Sequence, residues 1–243
     1  MNLYKKGFLF FLIAFTTFAQ TEKNVDEQTL IWYRYMNQLE LNPKWFLLSE
    51  IDYRNFVNPT VQSQYGFRTQ MKYKWNDTIM MGSGFTFFSV STQDPETIKP
   101  YQTPEYRFHQ DLTLNHKIVK VSIFHRYQVE GRWFQKVSTT QFNNGIDFYW
   151  RFRYRLQAEF DLFKKENKYL RVILHDEIML NRGKKVQYNT FDQNRIYAAL
   201  QYQIEPKTTV EMGYMHVFQQ SASGIDYIDR NVIRLNLYHK FKI

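Results

Sequence analysis

The chain has 243 residues, a formal charge of +9 and an aromatic content of 19%, with 22 Phe and 18 Tyr. A polytopic helical membrane protein is excluded, because each helical span needs about 20 consecutive apolar residues and the longest such stretch runs only from Gly7 to Phe15. So rich a supply of Phe and Tyr excludes disorder, and the lack of cysteine excludes thiol catalysis and Cys-ligated metals.

At the N-terminus, Lys5-Lys6 precede the apolar run and Thr16-Thr17-Phe18-Ala19 follow it. This order reads as a secretory signal peptide over 1–19, cut after Ala19. It leaves 20–28 as an N-terminal segment and 29–243 as one domain. No Cys follows the cut, so no lipoprotein anchor is expected.

From Thr29 onward the dominant period is two, the signature of strands. The clearest case is Asp147 to Leu156: Phe148, Trp150, Phe152, Tyr154 and Leu156 alternate with Asp147, Tyr149, Arg151, Arg153 and Arg155. Eleven such segments are read: 29–41, 44–55, 62–75, 78–91, 104–116, 118–133, 143–162, 169–181, 193–205, 208–220 and 230–243. Each exceeds the roughly 9 to 11 residues that a tilted strand needs to cross a bilayer. Tight turns at Asn42-Pro43, Asn76-Asp77, His116-Lys117, Lys164 to Lys168 and Pro206-Lys207 alternate with longer polar segments, Phe56 to Val61, Thr92 to Thr103, Phe134 to Phe142, Arg182 to Asp192 and Ser221 to Asp229. That alternation predicts an all-β fold, a single antiparallel up-and-down transmembrane barrel of 10 to 12 strands in the outer membrane of a Gram-negative bacterium. A soluble sandwich or lipocalin-like barrel would reverse the faces. Against it stand the bulk of the apolar face, the tryptophans near strand ends (Trp32, Trp45, Trp75, Trp133), and a last strand with Leu235, Leu237, His239, Phe241 and Ile243 that runs to the final residue.

Several segments carry a likeness. His125 to Arg132 (HRYQVEGR), Arg151 to Leu156 (RFRYRL), Asp176 to Asn181 (DEIMLN), Phe191 to Tyr197 (FDQNRIY) and Glu211 to Tyr214 (EMGY) resemble a family of Gram-negative outer-membrane barrels catalogued as domain of unknown function 2490. The likeness covers about Thr29 to Ile243. It implies a barrel in the outer membrane and implies no reaction.

Strand parity puts Arg126, Glu130, Arg132, Arg151, Arg153, Arg155, Glu177 and Arg195 in the lumen as a candidate network. Arg34, Arg54, Arg68, Arg107 and Arg234 face the same way, with Glu40, Glu50, Asp52, Asp111, Asp147 and Glu211. Three readings stay open: a basic lumen that passes or binds a small anionic or amphipathic solute, a plugged structural or surface-interaction barrel, and a barrel-embedded lipid-modifying enzyme. For the last, His109 with Asp111 and His175 with Glu177 are the pairs to inspect; residues two apart on a strand are roughly 7 Å apart, so no catalytic set is assigned. The histidines lack metal-ligand spacing, and no metal or cofactor is expected. Arg182, Lys184 and Lys185 follow a strand at its external end, where they are candidates to face lipopolysaccharide phosphates. Outer-membrane lipid, lipopolysaccharide and the barrel-assembly machinery are the expected partners of a monomer, with no nucleic acid.

Two features strain the pattern. His125 and Asp176 fall on the lipid face, and a β-bulge is expected to turn Asp176 inward. The odd strand count would put the chain ends at opposite mouths, so either 20–28 supplies a twelfth strand, the favoured count, or climbs the lumen, or one of the eleven segments is not in the wall.

Overall fold

The computed structural model describes residues 23–91, 93–96, 102–137, 142–166 and 168–243. The expected signal peptide, residues 20–22, and parts of the expected loops (92, 97–101 and 138–141) lie outside the described residues. Eleven strands follow one another: β1 (Asn24–Asn42), β2 (Trp45–Phe56), β3 (Gln62–Lys74), β4 (Ile79–Val90), β5 (Thr103–Ile118), β6 (Val121–Val137), β7 (Phe142–Lys165), β8 (Lys168–Arg182), β9 (Phe191–Glu205), β10 (Thr208–Gln220) and β11 (Asp226–Lys242). Each pairs antiparallel with its neighbour in sequence, and β1 closes on β11 in one barrel. Among the described residues there is no helix.

The count lies within the expected range but falls one short of the favoured twelve. Residues Asn24 to Gln28 do not form a strand of their own; they extend β1 along the ladder that pairs Asn24 with Asp226 and Glu40 with Lys242. With an odd number of strands, the first and last run the same way. Their parallel ladder pairs both free edges and leaves no open edge to template aggregation. Following paired residues once round the wall from Glu40 leads to Asp26, and this stagger is what tilts the strands against the barrel axis.

One mouth, the turn mouth, carries the connections β1–β2, β3–β4, β5–β6, β7–β8 and β9–β10; the loop mouth carries the others. Two turn-mouth connections are closed by asparagine. The Asn42 Oδ1 accepts from the backbone of Lys44 at 2.9 Å and Trp45 at 3.0 Å, and the Asn76 Oδ1 accepts from Thr78 and Ile79, both at 2.8 Å. Such side chains imitate a backbone turn and need little chain.

Along β7 the two faces separate cleanly: Arg151 and Arg153 are buried, whereas Trp150, Phe152 and Leu156 are exposed on the outer wall. Outward aromatics gather near both mouths, Trp45, Tyr73 and Trp75 at one and Trp133, Phe148 and Trp150 at the other. Trp32 departs from the expected girdle. It shares parity with Arg34 and points into the lumen, 6% exposed, and because β1 already starts at Asn24 it lies mid-strand, away from either mouth. Inward glycines make room for such bulk: a Cβ on Gly66 would lie 2.1 Å from the Phe88 ring, and one on Gly213 would lie 2.5 Å from the Tyr197 hydroxyl.

The expected bulge at Asp176 is absent. The β8 ladders run in unbroken register through it, with Leu156 on one side and Ile196 on the other. Asp176 stays on the outer face and accepts from Asn194 Nδ2 at 2.6 Å. His125 likewise remains outside, stacked on His116 and sharing a 2.9 Å hydrogen bond with the Tyr154 hydroxyl. Local pairing thus relieves both polar groups without any change of register.

The parallel seam gives a direct test. Thr29 and Asn231 are paired across it on the outer face, within the Cα separation of about 4.4 to 6.8 Å that a disulfide spans. In a chain with no cysteine of its own, Thr29→Cys with Asn231→Cys is expected to cross-link on oxidation and to shift migration on a denaturing gel. A twelve-strand barrel would leave the pair unlinked.

Candidate functional site

The lumen is filled unevenly along the axis. Toward the turn mouth it is packed with buried polar side chains. Asp111 accepts from Lys72 Nζ at 2.5 Å and from Gln70, while Glu211 accepts from Tyr197 at 2.6 Å, Gln201 at 2.9 Å, Asn236 at 2.6 Å and Tyr238 at 3.1 Å. Above that level comes a lattice of shared carboxylates. Glu177 takes Arg126 at 2.5 Å and Arg153 at 2.9 Å. Glu130 takes Arg153 at 2.7 Å. Glu105 takes Arg107 at 2.6 Å and Arg132 at 2.5 Å. Asp192 takes Arg151 at 2.7 Å. Across the barrel, Arg34 holds Asp52 at 2.9 Å and Glu50 at 3.3 Å, and Arg68 reaches Glu50 at 3.4 Å.

The reason for sharing is electrostatic. Consecutive inward residues of one strand lie about 6.6 to 6.8 Å apart, so Arg151, Arg153 and Arg155 would repel strongly in a low-dielectric lumen. Carboxylates on the flanking strands intervene: Glu130 is the cross-strand partner of Arg151, and Glu177 that of Arg155. Arg153 bridges the two, donating to Glu130 and, through both oxygens, to Glu177.

On the loop side of this lattice lies a cavity of about 350 Å³ lined, among the described residues, by twelve arginines against three carboxylates, Glu105, Glu177 and Asp192. Its walls start near the loop mouth with Ser63, Gln64, Gln93 and Gln219, and end at the level of Arg34, Arg126, Arg155, His175 and Arg234. Lys72, Asp111, Gln128 and Glu211, buried below, do not line it. The cavity is therefore a well on the loop side of the lumen, blind toward the turns. Gln93, from the β4–β5 connection, reaches the far wall at its mouth: its carbonyl accepts from Gln28 at 2.7 Å and its side chain from Arg230 at 2.6 Å.

Of the candidate network, Arg126, Glu130, Arg132, Arg151, Arg153 and Glu177 are joined by ion pairs. Arg195 and Arg155 are not: Arg195 donates to Gln193 at 2.8 Å, and Arg155 faces a Glu177 already engaged by Arg126 and Arg153. Of the other inward residues read from parity, Glu40 pairs with Lys242 at 3.1 Å at the turn mouth, and Asp147 pairs with Lys136 at 3.6 Å and with Lys185 near the loop mouth. Arg182 and Lys184 are exposed there, and the hydrogen bond to Asp147 holds the Lys185 ammonium above its usual pKa. His109 and His175 are buried, but the carboxylates two residues on are taken up by Lys72 and Gln70, and by Arg126 and Arg153. Among the described residues no cluster of His, Asp and Glu could hold a metal.

Sequence reading missed Glu105, Asp192 and Arg230. Glu105 and Arg230 share parity with Arg107 and Arg234 and could have been found by it. Asp192 could not: Met179 pairs with Gln193 and Leu180 with Phe191, so a bulge turns both Asp192 and Gln193 inward.

Removing Arg153 leaves Glu130 and Glu177 short of a partner inside the wall. Arg153→Leu is expected to lower unfolding free energy by roughly 3 to 5 kcal/mol, whereas Arg155→Gln, which breaks no ion pair, leaves it unchanged or raises it. Urea unfolding of the detergent-solubilised chain, followed by heat-dependent gel migration, makes the comparison.

A comparison with curated proteins finds no match. A family model described as "Protein of unknown function (DUF2490)" matches residues 29–228, from within β1 to the start of β11. A closed barrel with an arginine-lined well is thus the form this sequence family takes here, and the chain belongs to the DUF2490 family.

Proposed function

We propose that the protein is an outer-membrane barrel that binds a small anionic or amphipathic solute in its lumen. The observation that carries this reading is the well: guanidinium groups outnumber carboxylates in its lining, and a confined cationic cavity concentrates anions. An export signal at 1–19, a wall of outward Phe, Tyr, Trp, Leu and Ile, and aromatic clusters near both mouths support the location. Because buried side chains fill the turn side, binding is favoured over free passage.

The ion-pair lattice itself favours a second reading, a plugged structural barrel whose arginines only pin strand register. The two differ in ligand binding. The mature chain is expected to fractionate with the outer membrane, to carry no steady current in a planar bilayer, and to gain thermal stability from organic or inorganic anions but not from matched neutral solutes. Recovery in the soluble periplasm would remove the membrane location, a steady current would remove the blind well, and indifference to every anion would leave the structural barrel.

The exposed cations near the loop mouth add a partner. Neutralising Arg182, Lys184 and Lys185 together is expected to reduce co-purifying lipopolysaccharide, since ammonium and guanidinium groups pair well with phosphate. An unchanged lipopolysaccharide content would mark them as ordinary solubilising residues.

A further inference from the structure

The well is not uniformly polar. Inside the barrel Leu30, Trp32, Met215, Val217 and Val232 form one apolar cluster, and all of these except Val232 line the cavity. They sit on β1, β10 and β11, on the wall away from the Glu105–Glu130–Glu177 lattice. Arginines frame this patch at close range. Arg195 is the cross-strand partner of Val217, and Arg234 that of Trp32. The Arg54 guanidinium stacks 3.9 Å from the Trp32 ring centre, and that of Arg195 lies 5.5 Å from it. Arg234 lies over Tyr197 at 5.0 Å.

Two of the framing arginines, Arg195 and Arg234, are left out by the carboxylates, whereas Arg54 reaches Asp52 at 3.8 Å. Among the described residues, Arg155, Arg195 and Arg234 have no acidic partner within ion-pair distance. Arg195 and Arg234 have only amides, Gln193 at 2.8 Å and Asn236 at 3.4 Å. The Nε atoms of Arg54, Arg155 and Arg234, the Trp32 Nε1 and the His175 Nδ1 are buried without a hydrogen-bond partner. Buried donors and charges of this kind are normally satisfied. Arg126 Nε and Arg132 Nη1 on the lattice wall are likewise unpartnered, so such donors line the cavity on both sides, and those of Arg54, Arg234 and Trp32 stand at its apolar wall.

We infer that the well takes one amphipathic organic anion. Its carboxylate or phosphate head lies among Arg155, Arg195 and Arg234, and a flat or aliphatic body lies against Leu30, Trp32, Met215 and Val217. The cavity volume of about 350 Å³ stands at the low end of the roughly 300 to 1,000 Å³ of small-molecule sites. That size suits a compact body with a single head and excludes a long polyanion. This assignment rests on the proposed anion-binding role and narrows it to a ligand class.

The test is calorimetric titration of the full chain in neutral detergent with 2-naphthoate, with its neutral counterpart 2-naphthalenemethanol, and with inorganic phosphate. The expected result is saturable one-to-one binding of naphthoate, at least tenfold tighter than either of the others. Arg155→Gln with Arg234→Gln should weaken naphthoate at least tenfold, and Arg195→Gln alone serves if the double variant does not reach the heat-modifiable folded form. Val217→Thr should weaken naphthoate severalfold and leave phosphate untouched. Phosphate binding as tightly as naphthoate, or Val217→Thr affecting neither, overturns the amphipathic ligand while leaving the anion-binding reading intact. Naphthalenemethanol binding as tightly as naphthoate overturns the role of the arginines. Failure of both anions to bind overturns the inference and the broader reading together.

Discussion

A guanidinium group inside a closed sheet cannot reach bulk water, and it stays charged at any pH the protein meets. Each inward arginine must therefore be held by a carboxylate, by an aromatic face, or by whatever enters the lumen. In the β5–β9 half the first solution dominates. Glu105 serves Arg107 and Arg132, Glu177 serves Arg126 and Arg153, and Glu130 accepts from Arg153. These links cross from strand to strand, so a slip of one residue would turn the whole set onto the outer wall. The same ion pairs that compensate charge in this half of the lumen fix the register of the barrel.

The other half solves the problem differently. Around β1, β10 and β11 the inward positions go to Leu30, Trp32, Met215, Val217 and Val232, and the nearby arginines rest on rings: Arg54 and Arg195 on Trp32, Arg234 on Tyr197. Stacking offsets part of a desolvation cost but cancels no charge. The imbalance between the halves follows from where the acids fall in the sequence. β5 to β9 carry Glu105, Glu130, Glu177 and Asp192 on the inward face beside the well, and β1, β10 and β11 contribute none to its lining. A lumen with one compensated wall and one apolar, cation-edged wall is what gives the well its chemical character.

Much of this is legible without coordinates because period two is a strong local signal. Phe148 to Leu156 against Asp147 to Arg155 fixes both the strand and its faces, and parity carries Arg153 to its carboxylates on the flanking strands. Legibility ends where the rule is broken or overruled. The bulge at Asp192 changes parity with no marker in the sequence. Trp32 looks interfacial only if β1 begins at Thr29; the strand starts at Asn24, and parity turns the indole inward. At Asp176 parity holds where a bulge is expected, because Asn194 on the next strand satisfies the carboxylate on the outer face. The parallel seam follows from the eleven strands read, but the even count usual in single-chain bacterial barrels points instead to a twelfth.

That seam fixes which way the molecule's two ends face. β1 starts beside Asp226 at the loop mouth, and β11 ends beside Glu40 at the turn mouth. The chain thus enters the wall on one side and leaves it on the other, so a reporter fused before Asn24 and one fused after Ile243 would sample opposite compartments of any membrane the barrel crosses. Zipping the seam joins the segments farthest apart in the chain, a pairing of the highest contact order available to the fold. It requires the N-terminal residues to have reached the loop side before the wall shuts.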